Sequence, residues 1–377
     1  MSMCITRCLG AMLLFMGVAP QAWAQRPPFQ DPVDIGQTVT LEWDRLAMPG
    51  DIPLLGSRTV LAHEAGAALD YGKVFMTCES STDSRFGRCP TADTGEASNG
   101  RPSVIALRFT EQRSGLEVDI DVHGSLYRID ATPACSSDYW SVTPGALWSS
   151  HASLCVFQQP AGTGAQLWVP ASELGKLVAG KWRATLRLTL RRPADQPLAN
   201  HAFTFDLTVT DRDAVAIYFP EFDKVSPLVQ LNADYDPLRQ TIGGRTTLDM
   251  CLYDGLGSQA PFLGVTVQDM AAHPPGPTGY ALWHGDGGTD RSRRLDYHVS
   301  LTHNGATVPL PSGAEQQLHG IDTARLRLVM LPGMNLPVYC VPTPLTFDIP
   351  RVPVAGQRPG IYFGELRVQL RVPTVSP

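Results

Sequence analysis

Four segments of this chain alternate apolar and polar side chains with a period of two, a spacing that suits strands and does not suit helices. Val104–Thr110 places Ile105, Leu107 and Phe109 on one face. After an Arg113-Ser114-Gly115 turn, Leu116, Val118, Ile120 and Val122 alternate with Glu117, Asp119 and Asp121. Trp182, Ala184, Leu186, Leu188 and Leu190 alternate with Arg183, Thr185, Arg187 and Thr189, and Phe203, Phe205, Leu207 and Val209 repeat the pattern. These four read as two antiparallel hairpins, each with one buried and one solvated face. With 34 glycines and 32 prolines in 377 residues, long helices are disfavoured and the class expected is all-β.

The N-terminus predicts export. Arg7 precedes the apolar run Leu9–Val18, and Ala22-Trp23-Ala24 has the small-x-small form of a cleavage site, so residues 1–24 read as a signal peptide. The apolar run is too short to span a bilayer comfortably. Cys4 and Cys8 lie in the signal, which leaves six of the eight cysteines in the mature chain. Six cysteines allow many connectivities. The simplest is sequential pairing: Cys78–Cys89, Cys135–Cys155 and Cys251–Cys340. Zinc is disfavoured, because the chain has no CxxC and no cysteine-histidine cluster.

The charged triplet Asp211-Arg212-Asp213 interrupts the strands and divides the mature chain into 25–212 and 213–377. The first part adds Thr38–Trp43 as a strand and Ser172–Leu177 as one helical turn. The second is expected to hold strands at Ala216–Phe219, Leu228–Asn232, Thr247–Tyr253, Phe262–Gln268, Tyr297–Thr302, Thr307–Leu310, Ala324–Leu331 and Ile361–Val372, with a tight turn at Asn304-Gly305. Its two landmarks are TLDMCLYDG (Thr247–Gly255) and LPVYCVP (Leu336–Pro342), each with one cysteine in a short apolar run.

Catalytic and ligand motifs are sparse. Gly175–Lys181, GKLVAGK, matches half of a phosphate loop, but Trp182 and a strand follow where a hydroxyl residue and a helix are needed. His63-Glu64 lacks the second histidine of a zincin, and no G-x-S-x-G occurs. His284–Asp290, HGDGGTD, could hold calcium through Asp286 and Asp290, although such composition is more often turn chemistry. A net charge of -6 and a pI near 5.8 provide no global field for nucleic acid. Within this acidic chain Lys181, Arg183, Arg187, Arg191 and Arg192 crowd one strand. They either solubilise a sheet face and pair with acids across it, or form a guanidinium cluster for an anionic or polar ligand such as a sialylated glycan.

TLDMCLYDG, Val267-Gln268-Asp269, LPVYCVP and the terminal G-x-Y-x-G-x-L-x-V resemble the pilin domain of minor tip subunits of class 5 (alternate chaperone-usher) fimbriae, the colonization-factor tip adhesins or CblD-like pilus initiators. The first half resembles them as well: C-x10-C-P within Phe75–Pro90, FTEQR at Phe109–Arg113, the E-L-x-K-L…W run in Ser172–Trp182, Leu190-Arg191-Arg192, and Tyr218-Phe219-Pro220-Glu221-Phe222. The resemblance implies two tandem immunoglobulin-like β-sandwiches. The first would be an adhesin domain; the second would be an incomplete pilin fold whose groove, beside Leu366, Val368 and Leu370, accepts a donor strand from the major fimbrial subunit. It also implies a periplasmic chaperone, an outer-membrane usher and a host-surface glycan or glycoprotein as partners, and no cofactor, metal or catalytic residue. Receptor binding would fall on Arg191 and Arg192, with Lys73 where a relative carries arginine and Arg183 and Arg187 as a secondary patch. Lysine keeps the charge and loses the bidentate fork. Two other functions stand as alternatives: a structural initiator without adhesion, and a secreted carbohydrate-active enzyme.

Overall fold

A computed structural model describes residues 26–66, 68–97, 99–133, 138–152, 160–222 and 226–373. The expected signal segment and the expected Cys135–Cys155 pair lie outside them. The first part contains β1 (Ile35–Asp44), β2 (Ile52–His63), β3 (Phe75–Cys78), β4 (Ser103–Glu111), β5 (Glu117–Asp130), β6 (Pro160–Val169), β7 (Gly180–Arg192) and β8 (Gln196–Thr210), with one helical turn, α1 (Ala171–Leu174). The strands bond in the order β1-β8-β7-β4-β5-β6-β2, with β3 on β7. Both hairpins read from the alternation are present: β4 pairs with β5 and β7 with β8.

β4 meets β7 at only two residue pairs, Thr110–Arg183 and Glu111–Trp182, so the sheet folds there into two leaves. Ile105, Leu107, Phe109, Ile120 and Val122 come from one leaf; Trp182, Leu186, Phe203, Phe205 and Leu207 come from the other, and all are at most 1% exposed. They share one core, in which Phe109 and Phe205 approach to 5.2 Å between ring centroids. Each such side chain contributes about 1.5–3 kcal/mol by leaving water.

The second part contains β9 (Ala216–Tyr218), β10 (Asp234–Asp236), β11 (Thr241–Leu248), β12 (Cys251–Tyr253), β13 (Phe262–Asp269), β14 (Ala281–His284), β15 (Arg294–Asp296), β16 (His298–His303), β17 (Ala306–Pro309), β18 (Glu315–His319), β19 (Arg327–Val329), β20 (Val338–Pro342), β21 (Leu345–Pro353), β22 (Tyr362–Phe363) and β23 (Leu366–Arg371). Its sheets are β10-β11-β21-β16-β17, β19-β20-β12-β9, β18-β13-β23 and β15-β14-β22.

Four expected strands differ. Thr247–Tyr253 divides at Asp249-Met250, where the chain leaves the β21 ladder and joins β9 and β20. Ala324–Leu331 shortens to the three residues that pair with β20. Ile361–Val372 divides at Gly364-Glu365 because its two halves bond different partners, β14 and β13. Leu228–Asn232 forms no strand. Pro227, Val229 and Leu231 are half-buried and Leu228 and Gln230 exposed, so the segment keeps a strand's alternation. Its Asn232 amide donates to Thr246 Oγ1 of β11 at 2.9 Å, but among the described residues it joins no backbone ladder.

The disulfide frame lies on the seam between the two parts. Cys251 and Cys340 are joined, with Cα atoms 5.7 Å apart, on neighbouring strands β12 and β20. Cys251, Tyr253, Val338 and Cys340 belong to the first core, whereas Met250, Leu252 and Val341 belong to the second. One small sheet therefore has a core on each face. Across the seam Arg113 Nη2 donates to the carbonyls of Ile321 and Ala324, and the Asp211 amide donates to Gly255 O. Gly255 and Gly257, in the left-handed region at φ 67° and 68°, permit the close approach: a Cβ would stand 2.3 Å from Asp211 O at the first and 2.6 Å from Gly180 Cα at the second.

Candidate functional site: an arginine hairpin end and an open strand edge

β7 keeps its leucines inward and sends Lys181, Arg183, Thr185, Arg187 and Thr189 outward. Ten residues of strand extend about 33 Å, so the five basic side chains are spread along the strand rather than gathered at one point. Their surroundings separate them. Arg183 Nε meets Asp206 Oδ1 at 2.6 Å from the facing position of β8. Arg187 lies 3.7 Å from Glu79 Oε1 and stacks over Phe86 at 3.9 Å from the ring centroid. Both follow the pattern of charges paired across an exposed face, where each pair is worth little.

Arg191 and Arg192 close β7, beyond a register shift at Leu190/Arg191. Ala194 and Asp195 turn the chain with φ of 64° and 53°. Arg191 Nε donates to Thr77 Oγ1 at 3.0 Å and its Nη1 to Asp195 O at 2.9 Å; Arg192 Nε donates to Gln196 Oε1 at 2.8 Å. Among the described residues neither guanidinium meets a carboxylate. The two half-buried arginines are thus held by neutral acceptors.

Lys73 reaches the same end through backbone pairing, because Phe75, two residues on, lies opposite Arg191. Its ammonium is 3.2 Å from Asp70 Oδ1 and half exposed, so it is partly neutralised. The adjacent Tyr71 donates its hydroxyl to Asp31 Oδ1 at 2.7 Å. Burial, then the Asp31 carboxylate, pushes that hydroxyl up to about 12, with Arg192 acting in the opposite direction.

A buried arginine supports this turn from below, and composition gave no hint of it. Arg128 donates through Nη1 to Val74 O and Thr163 Oγ1, both at 2.7 Å, and through Nη2 to Ser149 O at 2.6 Å. Thr163 in turn donates to Tyr71 O at 2.8 Å. Burial lowers Arg128 to about 10, with Asp93 acting to raise it, so it stays charged near neutral pH. Its donors are satisfied by oxygen acceptors, as a buried cation requires.

The other sequence features are structural in form. Cys78 and Cys89 are joined, with Cα atoms 5.3 Å apart, and fix the C-x10-C loop to β3. In HGDGGTD, Asp286 accepts from Arg293 and Arg358, and Asp290 from Arg293. Those arginines occupy the carboxylates that a calcium ion would need.

At the other end of the chain, among the described residues β23 bonds only to β13 and is the edge of its sheet. Leu366, Val368 and Leu370 point toward the second core but remain half-buried. Val229 and Leu231 lie half-buried against the same core. An edge strand with apolar side chains so exposed is a template for strand addition.

Comparison with known proteins agrees with this architecture. Residues 20–212 match the family model for the first domain of CfaE, a component of CFA/I fimbriae, and residues 215–374 match the model for its second domain. The chain is 30% identical over 312 residues to the CfaE protein of Escherichia coli CFA/I fimbriae, covering 79% of this chain and 80% of that one. The crystal structure of CfaE, described as the adhesive subunit of the CFA/I fimbria of enterotoxigenic E. coli, superposes with a TM-score of 0.70 at 25% identity, over 93% of this chain and 95% of that one. A structure of a chaperone-tip adhesin complex of CFA/I fimbriae superposes with a TM-score of 0.67 at 25% identity, over 93% of this chain and 99% of that one. These relatives are fimbrial adhesins and not enzymes. With both of its halves matched, the chain belongs to the CfaE family of chaperone-usher tip adhesins.

Proposed function

We propose that this protein initiates pilus assembly and binds an anionic host-surface glycan through Arg191 and Arg192, with Lys73 at the margin of the site. The observation that carries the reading is the contrast along β7. Arg183 and Arg187 have carboxylate partners, whereas the pair at the hairpin end is held by Thr77, Gln196 and a backbone carbonyl. Guanidinium forks match carboxylates geometrically and are worth most where no internal acid competes. Arg183 and Arg187 are then a secondary patch at most.

On this reading residues 1–24 direct export and are removed, residues 25–212 form the adhesin domain, and residues 213–377 form the pilin domain. The pilin domain takes a strand from the major fimbrial subunit beside β23. Before that a periplasmic chaperone covers the edge, and an outer-membrane usher passes the protein to the cell surface, where it sits at the fimbrial tip. Support comes from the half-buried apolar row Leu366, Val368 and Leu370, and from the strand-like segment around Val229 and Leu231, which joins no ladder among the described residues.

The test is attachment of assembled fimbriae to cells and to a sialylated glycan surface. Replacing Arg191→Ala and Arg192→Ala together is expected to weaken binding by at least about tenfold, as loss of charge-assisted hydrogen bonds does, and to leave fimbriae assembled. Wild-type tips that bind neither cells nor glycans would favour the structural initiator without adhesion.

A further inference from the structure

A second site lies on the flank of the first domain, where the disulfide loop pairs along the edge of β4 away from β5. Here a depression of about 420 Å³ is lined by Ser81, Arg88, Cys89, Pro90, Val104, Ala106 and Asp121. That volume falls in the range of small-ligand pockets.

Three elements build it, and each is fixed. The Arg88 amide donates to Ala106 O at 2.9 Å, which docks the loop on β4, while Cys78–Cys89 anchors it to β3. Gly87 lies at φ 101°, and a Cβ there would stand 2.6 Å from Leu186 Cδ1, so the loop can seat only with glycine at this position. On the facing strand Asp121 sits opposite Ala106, and its amide donates to Glu173 Oε2 at 2.8 Å.

The side chains, in contrast, are free. Among the described residues neither the guanidinium of Arg88 nor the carboxylate of Asp121 has an ion pair or hydrogen bond, although both face one depression. Between them Val104, 45% exposed, and Ala106 form an apolar floor. The next row of the sheet continues it: Val104 faces His123, which faces Trp168, with the two rings in edge contact at 5.6 Å.

We infer that this flank binds an uncharged hexose, at a site separate from the Arg191–Arg192 end and independent of the reading given to it. A free carboxylate accepts from two sugar hydroxyls and a guanidinium donates to a third oxygen. The apolar floor of Val104 and Ala106 covers the C–H face of the ring. An anion is disfavoured because Asp121 would oppose it.

The test uses the full mature chain and three probes, methyl β-galactoside, methyl β-glucoside and methyl α-mannoside, followed by calorimetry and saturation-transfer NMR. At least one is expected to bind saturably. Asp121→Asn and Arg88→Gln are each expected to weaken it by about tenfold or more, while the Arg191→Ala and Arg192→Ala pair leaves it unchanged. Arg88 is exposed, so Arg88→Gln keeps the test valid if Asp121→Asn folds poorly. The inference fails if none of the three binds saturably, if binding survives Arg88→Gln, or if sialyllactose binds this flank more tightly than the neutral sugars.

Discussion

Two strands of this protein have nearly the same sequence pattern and opposite surroundings. β7 carries Leu186-Arg-Leu-Thr-Leu-Arg-Arg192, and β23 carries Leu366-Arg-Val-Gln-Leu-Arg371. In β7 the three leucines are at most 2% exposed; in β23 Leu366, Val368 and Leu370 stay half-buried. The two strands also differ in their bonded neighbours. β7 has β8 along one edge and β3 and β4 along the other, whereas β23 has β13 alone. Alternation thus decides which face of a strand turns inward, and what packs over that face decides how far burial proceeds. The edge strands β1, β2 and β18 also have one neighbouring strand each, yet Trp43, Leu61 and Leu318 are buried. An edge strand patterned for a core is a template for strand addition.

That comparison can be broken by mutation. Leu186→Ala should cost about 3 kcal/mol in urea unfolding, as cavity formation in a closed core does. Replacing both Cys251 and Cys340 with alanine should cost about 2–4 kcal/mol. Because their side chains belong to the first core, we expect the unfolding of both parts to shift, followed by domain-specific fluorescence or exchange. Val368→Ala should cost less than about 1 kcal/mol in the isolated chain, since a half-exposed side chain loses little. A Val368→Ala cost as large as that of Leu186→Ala would remove the contrast.

The smallest effect expected concerns pH. His201 lies on β8 at 2% exposure, and burial lowers its pKa below the ordinary value, with a backbone bond to Val33 and the charge of Asp34 acting the other way. The unfolded chain then takes up a proton near pH 6.5 before the folded one does. This contribution to stability is present in full above that value and is lost as pH falls through the lowered folded pKa. His201→Gln should flatten the stability profile of the chain in that acidic range, as measured by denaturation at a series of pH values.

How much of this was readable from the residues depends on distance along the chain. The hairpins β4–β5 and β7–β8 are local and uninterrupted, so a period of two suffices. β21 is central to its sheet, but Pro344, Pro350 and Pro353 mask it; the ladder shifts register between Ile242 and Gly244, beside Pro350 and Arg351. Leu228–Asn232 has the alternation of a strand but joins no backbone ladder among the described residues, which alternation cannot report. At the hairpin end, the positive charge of Arg183, Arg187, Arg191 and Arg192 is visible in the chain. Their sorting into paired and free is not, because Asp206, Glu79 and Thr77 arrive from other segments. The flank formed by Arg88 and Asp121 joins a disulfide loop to a strand in the same way, and only folding brings the two together.

The most direct test supplies the missing neighbour. A donor-strand peptide from the major fimbrial protein, fused through a short linker after residue 377, should pair beside β23 and bury Leu366, Val368 and Leu370. With several large side chains newly buried, the melting temperature of the second part should rise on the order of 10 °C, and the amides of β23 should exchange more slowly. An unchanged melting temperature and unchanged exchange at Leu366–Arg371 would contradict an incomplete sandwich.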